Sequence, residues 1–350
     1  PRPRRMIHLV IPRMHEGPRG AGQWKDLQGI RQILNRLGTA WREFFFDGAN
    51  TEDLVLALKN SDDVVLWYYS FWPEALEQIR TACPRARIVL RTVNAEALQH
   101  WTRAEKDWRR WRGLPRDVYG FFRLLRRDRR CARAAHRLAG ISPWDDRHYW
   151  RRQAGPQKVR TAPYFCPWPA LLPAVAPRPW ADRENAIVCL AGGRDTIGRG
   201  HVEEFGILAQ RPEFRSWRFL LSAGLLKSAA DSVPDRVERI GRLEEPWELL
   251  CRVKAVAVLS KAGFGFKTTI ADALAAGAHA LVHPRQHARL ADEDRQLAVA
   301  VDGAAGIGLA ALAVVLNDAP AYTPKQVQER QADCAEQAWK DILIGGGPAP

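Results

Sequence analysis

Apolar positions along the chain fall into short runs separated by stretches of helical period. Met6–Ile11 is a β-rich run. Glycines at 17, 20 and 22 follow, and then Leu27, Ile30, Ile33, Leu34 and Leu37 at helical spacing, closed by Gly38. This reads as strand, glycine-rich loop, helix. Further strand-like runs are Val64–Tyr69, Ile88–Thr92 and Arg137–Ser142, with helical patterns between them. Later, strands at Ala186–Leu190, Trp217–Ser222, Val237–Ile240, Ala255–Leu259 and Ala280–His283 are interleaved with helices at 200–210, Trp247–Arg252 and Thr268–Ala276. Gln326–Leu343 forms a last helix bearing Trp339. Alternation of this kind predicts α/β architecture, with parallel sheets covered by helices on both faces.

Between the two sets of strands, Pro167–Trp180 carries five prolines in fourteen residues. Proline fixes φ and removes a backbone donor, so the segment reads as a stiff extended linker. The expected organisation is a first domain over 1–170, a linker over 171–185, a second domain over 186–325, a helix over 326–344 and a flexible tail over 345–350. A length of 350 residues suits two domains of roughly 100–200 residues each.

Composition removes several classes. Hydrophobic residues at 46% and charged residues at 26% exclude wholesale disorder. No apolar run reaches the roughly 18 residues of a membrane-spanning helix. The basic start shows no secretory-signal pattern, and residues 1–5 read as an extension. Six scattered cysteines without a C-x-x-C pair suit reduced thiols. These features predict a cytoplasmic protein, or one peripheral at the inner face of the cell membrane. His279, His283 and His287 are four apart, but Pro284 breaks the helical register, so no metal site is expected.

The net charge of +14 is unevenly placed. Residues 1–180 carry 33 Lys+Arg against 17 Asp+Glu, whereas residues 181–350 carry 20 against 22. Eleven of the 14 Trp also lie in the first half. Within it, residues 101–137 hold 13 Lys+Arg against 4 Asp+Glu, interleaved with Trp101, Trp108, Trp111, Tyr119, Phe121 and Phe122. That mixture suits an anionic membrane interface or a lipid-linked acceptor. It equally suits a helical hairpin with a solvated arginine face. No RNA- or DNA-binding motif accompanies it, so nucleic acid is not an expected partner.

Two glycine-rich turns carry candidate chemistry. Gly263-Phe264-Gly265-Phe266-Lys267-Thr268-Thr269 joins a strand to a helix, and Asp272 follows within that helix. Backbone amides at a helix N-terminus beside a lysine make a site for phosphate or sugar hydroxyls, and Asp272 can accept from a ribose. A plain αβ turn packed by glycines has the same pattern. Gly192-Gly193-Arg194, with Arg199-Gly200 close behind, follows the strand at Ala186–Leu190. Its two arginines can converge on one diphosphate, or stand solvated on a loop. Both turns lie at carboxyl ends of strands, where open α/β sheets bind ligands.

In these residues the chain resembles the retaining GT-B glycosyltransferases of the group 1, or GT4-like, family. The pattern G-R-x4-[K/R]-G is similar to Gly193, Arg194, Arg199 and Gly200. The pattern G-x-G-x-K-x4-[D/E]-A-L-A-x-G is similar to Gly263 through Gly277. Arg91-Thr92-Val93-Asn94-Ala95-Glu96 resembles the family's R-x-H-N-x-E, with Val93 at the histidine position. Gly241-Arg242 resembles the loop that packs on the nucleotide base, and Ile141–Asp145 resembles V-S-x-x-D. Phe264 stands eight before Asp272, where many members have a glutamate.

The resemblance implies two Rossmann-like domains facing across a cleft, with the last helix returning to the first. It implies transfer of a sugar from a nucleotide-diphosphate donor to a glycan or lipid-linked acceptor, with retention, in bacterial surface polysaccharide or glycoconjugate synthesis. No cofactor or metal is implied. Arg194, Arg199 and Lys267 would stabilise the departing diphosphate. Gly193, Gly241, Arg242, Gly263, Phe264, Gly265, Phe266, Thr268, Thr269 and Asp272 would bind the donor, Asp272 through the ribose. Asn94 and Glu96 would act on the acceptor side, with His15 and His100 as further candidates to orient it. His15, Gly20 and Gly22 would form a loop facing the phosphates. The alternatives are another GT-B enzyme, such as a nucleotide-sugar epimerase or phosphorylase, and a non-catalytic basic protein that binds nucleic acid or membrane.

Overall fold

The structure is a computed structural model that describes residues 5–13, 21–59, 61–98, 100–101, 114–191, 196–223, 235–260, 265–301 and 309–345. Its first half contains strands β1 (Ile7–Pro12), β2 (Trp41–Phe46), β3 (Val64–Tyr68), β4 (Arg87–Thr92), β5 (Arg137–Gly140) and β6 (Val159–Thr161). They form one parallel sheet in the order β2-β1-β3-β4-β5-β6. The second half contains β7 (Glu184–Ala191), β8 (Arg218–Ala223), β9 (Val237–Arg239), β10 (Val253–Val258), β11 (His279–Val282) and β12 (Val299–Ala300). These form a second parallel sheet, in the order β12-β11-β10-β7-β8-β9.

Interior strands read as unbroken apolar runs because helices cover both faces. β1 and β3 are buried at every position. β2, β6 and β12 escaped the sequence pattern, and all three are sheet edges. β2, WREFFF, is mostly half-buried, and β6 and β12 have three and two residues. An edge strand presents less buried surface, so its apolar periodicity is weak.

Each sheet packs one core against either face. In the first half, Val10, Val65, Ile88 and Leu138 face one side with Leu76 and Cys131. Leu9, Leu66 and Val89 face the other with Leu27, Ile30 and Ile33 of the helix Gly22–Arg36. Ala335, Trp339, Ile342 and Leu343 of the last helix, Pro324–Leu343, join this second core. The helix therefore returns to the first domain as expected. A Thr323 capping box starts it, which satisfies two backbone donors reciprocally.

The proline-rich segment differs from the extended spacer expected. Trp168–Leu171 forms a helical turn, and Trp168 is fully buried beside Trp24, with ring centroids 5.6 Å apart. The Arg178 amide donates to the Cys251 carbonyl at 3.0 Å, and Trp247 Nε1 donates to Val175 at 3.0 Å. Aromatic burial therefore docks the segment on the second domain and overrides the intrinsic stiffness of its prolines. The six cysteines are unpaired. No helix among the described residues is long and apolar enough to cross a membrane.

Candidate functional site

Strand order reverses between β1 and β3 in one sheet and between β7 and β10 in the other. A crevice opens at such a switch point, outside the carboxyl ends of the strands. The segments leaving those ends meet at the seam between the domains. There a pocket of about 290 Å³ is lined by Ala21, Gly22 and Gln23 from one domain and Phe266, Lys267, Thr268 and Thr269 from the other. Val93 and Asn94 after β4 and Ile141 after β5 complete it.

Two helix N-termini thus face one pocket: Gly22–Arg36 from the first domain and Thr268–Ala275 from the second. Neither is capped by a side chain. Their first-turn amides and aligned peptide dipoles favour an anion, and Lys267 at one N-cap adds a full positive charge. The two ends approach closely: a Cβ on Gly22 would stand 3.3 Å from Thr268 Oγ1. Gly265, at φ +83°, passes so near Asn94 that a Cβ there would lie 2.0 Å from Asn94 Oδ1. Only glycine fits that turn, for both conformation and space.

Behind Asn94 runs a polar chain in the first domain. Asn94 Nδ2 donates to Tyr69 Oη at 3.1 Å, and the Tyr69 hydroxyl donates to Glu96 Oε1 at 2.5 Å. Arg127 donates to the other Glu96 oxygen at 2.9 Å. Burial, reinforced by Glu96, pushes the Tyr69 hydroxyl pKa well above its ordinary value, so it remains a donor. Tyr69 itself sits at φ +75°. This strained backbone at the end of β3 costs about 1–3 kcal/mol. Glu96 therefore acts on the pocket through Tyr69 and Asn94.

Asp272, the residue expected to hold a ribose, lies in the seam between the domains. It is fully buried and does not line the pocket. Tyr164 Oη donates to one carboxylate oxygen at 2.6 Å, and the Lys25 ammonium pairs with the other. Lys25 lies in the first turn of Gly22–Arg36, which packs against the helix bearing Asp272. The next residue, Asp26, forms a buried double contact with Arg91 at 2.5 and 3.0 Å.

Asp145, the aspartate of the segment that resembles V-S-x-x-D, is a further residue of the seam. Ser142 Oγ caps its turn by accepting from the Asp145 amide at 3.3 Å. Its carboxyl group faces Arg289, the Gly265 amide and Lys267 of the second domain, which lower its pKa, but burial dominates and pushes it up to about 6. Neighbouring Asp146 is pushed up to about 7, by burial and then Asp145, against the hydrogen bond from Thr161. Lys25 and Tyr164 carry no local motif, so only the fold brings them to the site.

Other candidates fall elsewhere. Gly241 and Arg242 are exposed after β9 and do not line this pocket. His100 faces Asp117 at 3.6 Å, against the helix Leu114–Ala134. His15, Gly20, Gly193, Arg194, Gly263 and Phe264 lie outside the described residues. Arg199 falls within the helix Thr196–Ala209, with its side chain likewise outside the description. His279, His283 and His287 hydrogen-bond Asp318, Arg285 and Arg295 backbone groups respectively. Asp292 and Asp294, two apart, pair with Arg295 and Arg330 at 3.1 and 2.6 Å. Among the described residues no cluster has the makings of a metal site.

No protein-family profile matches the chain. No curated protein matches it either. Solved structures do. HepE of Anabaena, in complex with UDP and glucose, superposes with a TM-score of 0.54 at 13% identity, over 97% of this chain and 95% of that one. Sucrose-phosphate synthase of Thermosynechococcus elongatus gives 0.59 at 16% identity, over 97% of both chains. The α,α-trehalose 6-phosphate synthase of Burkholderia multivorans gives 0.60 at 11% identity, over 97% and 95%. The two parallel six-stranded sheets, the crevice between them and the returning helix are together the GT-B fold.

Proposed function

We propose that the protein is a glycosyltransferase that moves a sugar from a nucleotide-diphosphate donor to a glycan or lipid-linked acceptor. The observation that carries this reading is the pair of uncapped helix N-termini converging with Lys267 on one interdomain pocket. Such a site stabilises negative charge where it develops on a departing diphosphate. The same fold holds UDP and glucose in HepE, which supports the reading.

Transfer proceeds with retention in this proposal. The bond from the anomeric carbon to the diphosphate oxygen breaks, and its electrons leave with the diphosphate. The acceptor oxygen attacks the same face and gives its proton to a diphosphate oxygen. Lys267, with Arg194 and Arg199, neutralises the leaving group without a metal. Asn94, held by Tyr69 and Glu96, orients the acceptor hydroxyl. Gly241 and Arg242 pack on the nucleotide base. The acceptor belongs to bacterial surface polysaccharide or glycoconjugate synthesis, met at an anionic membrane surface through residues 101–137.

A thermal-shift and calorimetric panel of UDP, GDP, dTDP and their sugars tests the donor. A nucleotide that binds the native state raises Tm by mass action. Wild type should respond to one base, and Lys267→Ala should lose that response while keeping its own Tm. Indifference of wild type to every nucleotide would overturn the proposal.

A further inference from the structure

The helix Leu114–Ala134 buries Leu124, Asp128 and Cys131 against the first domain. Its outer face carries Arg116, Tyr119, Phe122, Arg123, Arg126, Arg129 and Arg133, all exposed. Tyr119 and Phe122 are 69% and 59% exposed, which is unusual for rings of that size on a surface otherwise so basic. Along one flank of this helix, against the helix Pro73–Ala82, runs a groove of about 450 Å³. Phe71, Pro73 and Leu124 form its apolar wall.

Four arginines reach this groove, and they fall into two pairs. Arg127 lies over the Phe71 ring at 4.3 Å and is held by Glu96 and Asp128 at 2.9 and 3.3 Å. Arg130 is held by Glu74 and Glu77 at 2.5 and 2.6 Å. These two have their charge answered, and they stiffen the floor. Arg123 and Arg126, one turn apart on the same rim, have no hydrogen bond or ion pair among the described residues. Planar guanidinium forks placed in this way match the oxygens of a tetrahedral dianion better than a single carboxylate. The rings of Tyr119 and Phe122 continue the same helix toward its N-terminus, as an interfacial aromatic contact requires.

We propose that this groove is a binding site for the phosphate monoester headgroup of a membrane lipid, with Arg123 and Arg126 on the phosphate and Phe71, Pro73 and Leu124 against the first carbons of its chain. The assignment rests on the membrane-facing reading of residues 101–137 and narrows it from a charged face to a site. Arg127 links the groove through Glu96, Tyr69 and Asn94 to the interdomain pocket. A phosphate bound there thus lies on the acceptor side of the cleft.

Vesicle flotation tests this with phosphatidylcholine vesicles carrying phosphatidic acid, a monoester, or phosphatidylglycerol, a diester, at matched surface charge. Wild type should prefer phosphatidic acid by about tenfold, the worth of one charge-assisted hydrogen bond. R123A/R126A should abolish that preference. R129A/R133A removes equal charge outside the groove and should weaken binding to both lipids alike while keeping the preference. Unchanged nucleotide binding in both variants shows that they fold. Loss of the preference in both variants, or no preference in wild type, overturns the site while leaving a general membrane-facing surface intact. Failure of wild type to bind either anionic vesicle overturns both readings. Binding of glycerol 3-phosphate at the groove without vesicle binding overturns the lipid as its source.

Discussion

The contact between Lys25 and Asp272 joins the two domains through a charge pair with 3% and 0% side-chain exposure. Lys25→Met keeps the length and apolar stem of the side chain but removes the ammonium. Asp272 is then left in the seam with the Tyr164 hydroxyl at 2.6 Å as its remaining strong donor. Breaking a buried pair in this way costs about 3–5 kcal/mol, because the surviving charge is uncompensated. Asp272→Leu strands the ammonium and should cost a similar amount. The double variant removes both charges and leaves one unsatisfied hydroxyl, worth about 1–3 kcal/mol. The two substitutions should therefore be strongly non-additive, with a coupling energy of at least about 2 kcal/mol. Urea unfolding followed by tryptophan fluorescence reads this directly, since Trp24 precedes Lys25 in its helix and its ring packs 5.6 Å from that of the buried Trp168. Single effects that sum to the double within about 0.5 kcal/mol would refute the reasoning, and with it the view that this pair locks the domains together.

Gly265→Ala places a Cβ 2.0 Å from Asn94 Oδ1 at a φ of +83°. It should weaken donor binding by calorimetry, and Asn94→Ala in the same chain should recover part of the loss by clearing the clash. The Asp146 carboxyl is pushed up to about 7 by burial and by Asp145. The folded state then binds a proton that the unfolded state has already released, so its contribution to stability is full below the ordinary carboxylate range and is lost as pH rises through about 7. Asp146→Asn should flatten the fall in urea midpoint across that window, and a variant whose pH profile parallels wild type would contradict the assignment.

Much of the architecture was legible because buried parallel strands write themselves as apolar runs. β1, β3, β4, β7 and β10 stand in the sequence to within a few residues for that reason; of the four edges, β9 is legible at Val237–Ile240, whereas β2, β6 and β12 are not. The turn from Gly265 to Thr269 was legible too, since a glycine-rich strand-to-helix turn is a local signal. Asp272 shows where such reading stops. Its place in the motif was evident, but the partners that hold it lie 247 and 108 residues away. No spacing rule connects Lys25 or Tyr164 to that carboxylate. The buried turn of the proline-rich segment was hidden for a related reason: proline content reports local stiffness, while Trp168 answers to a distant core.

The last helix begins among second-domain residues, with Val327 in their core, and ends in the first-domain core at Leu343. Midway, Gln331 accepts from the Cys166 amide at 3.2 Å and donates to the Ala271 carbonyl at 3.3 Å. The chain thus passes between domains twice, side by side, and Gln331 rivets the two passages at one point. Two adjacent crossings pin the domains along one line, and sliding one passage past the other would break both Gln331 hydrogen bonds. The two faces of the pocket are thus held near each other by the chain itself. Their encounter carries the high effective concentration of a pinned joint, and little of the entropy cost of two domains searching for each other on a flexible linker.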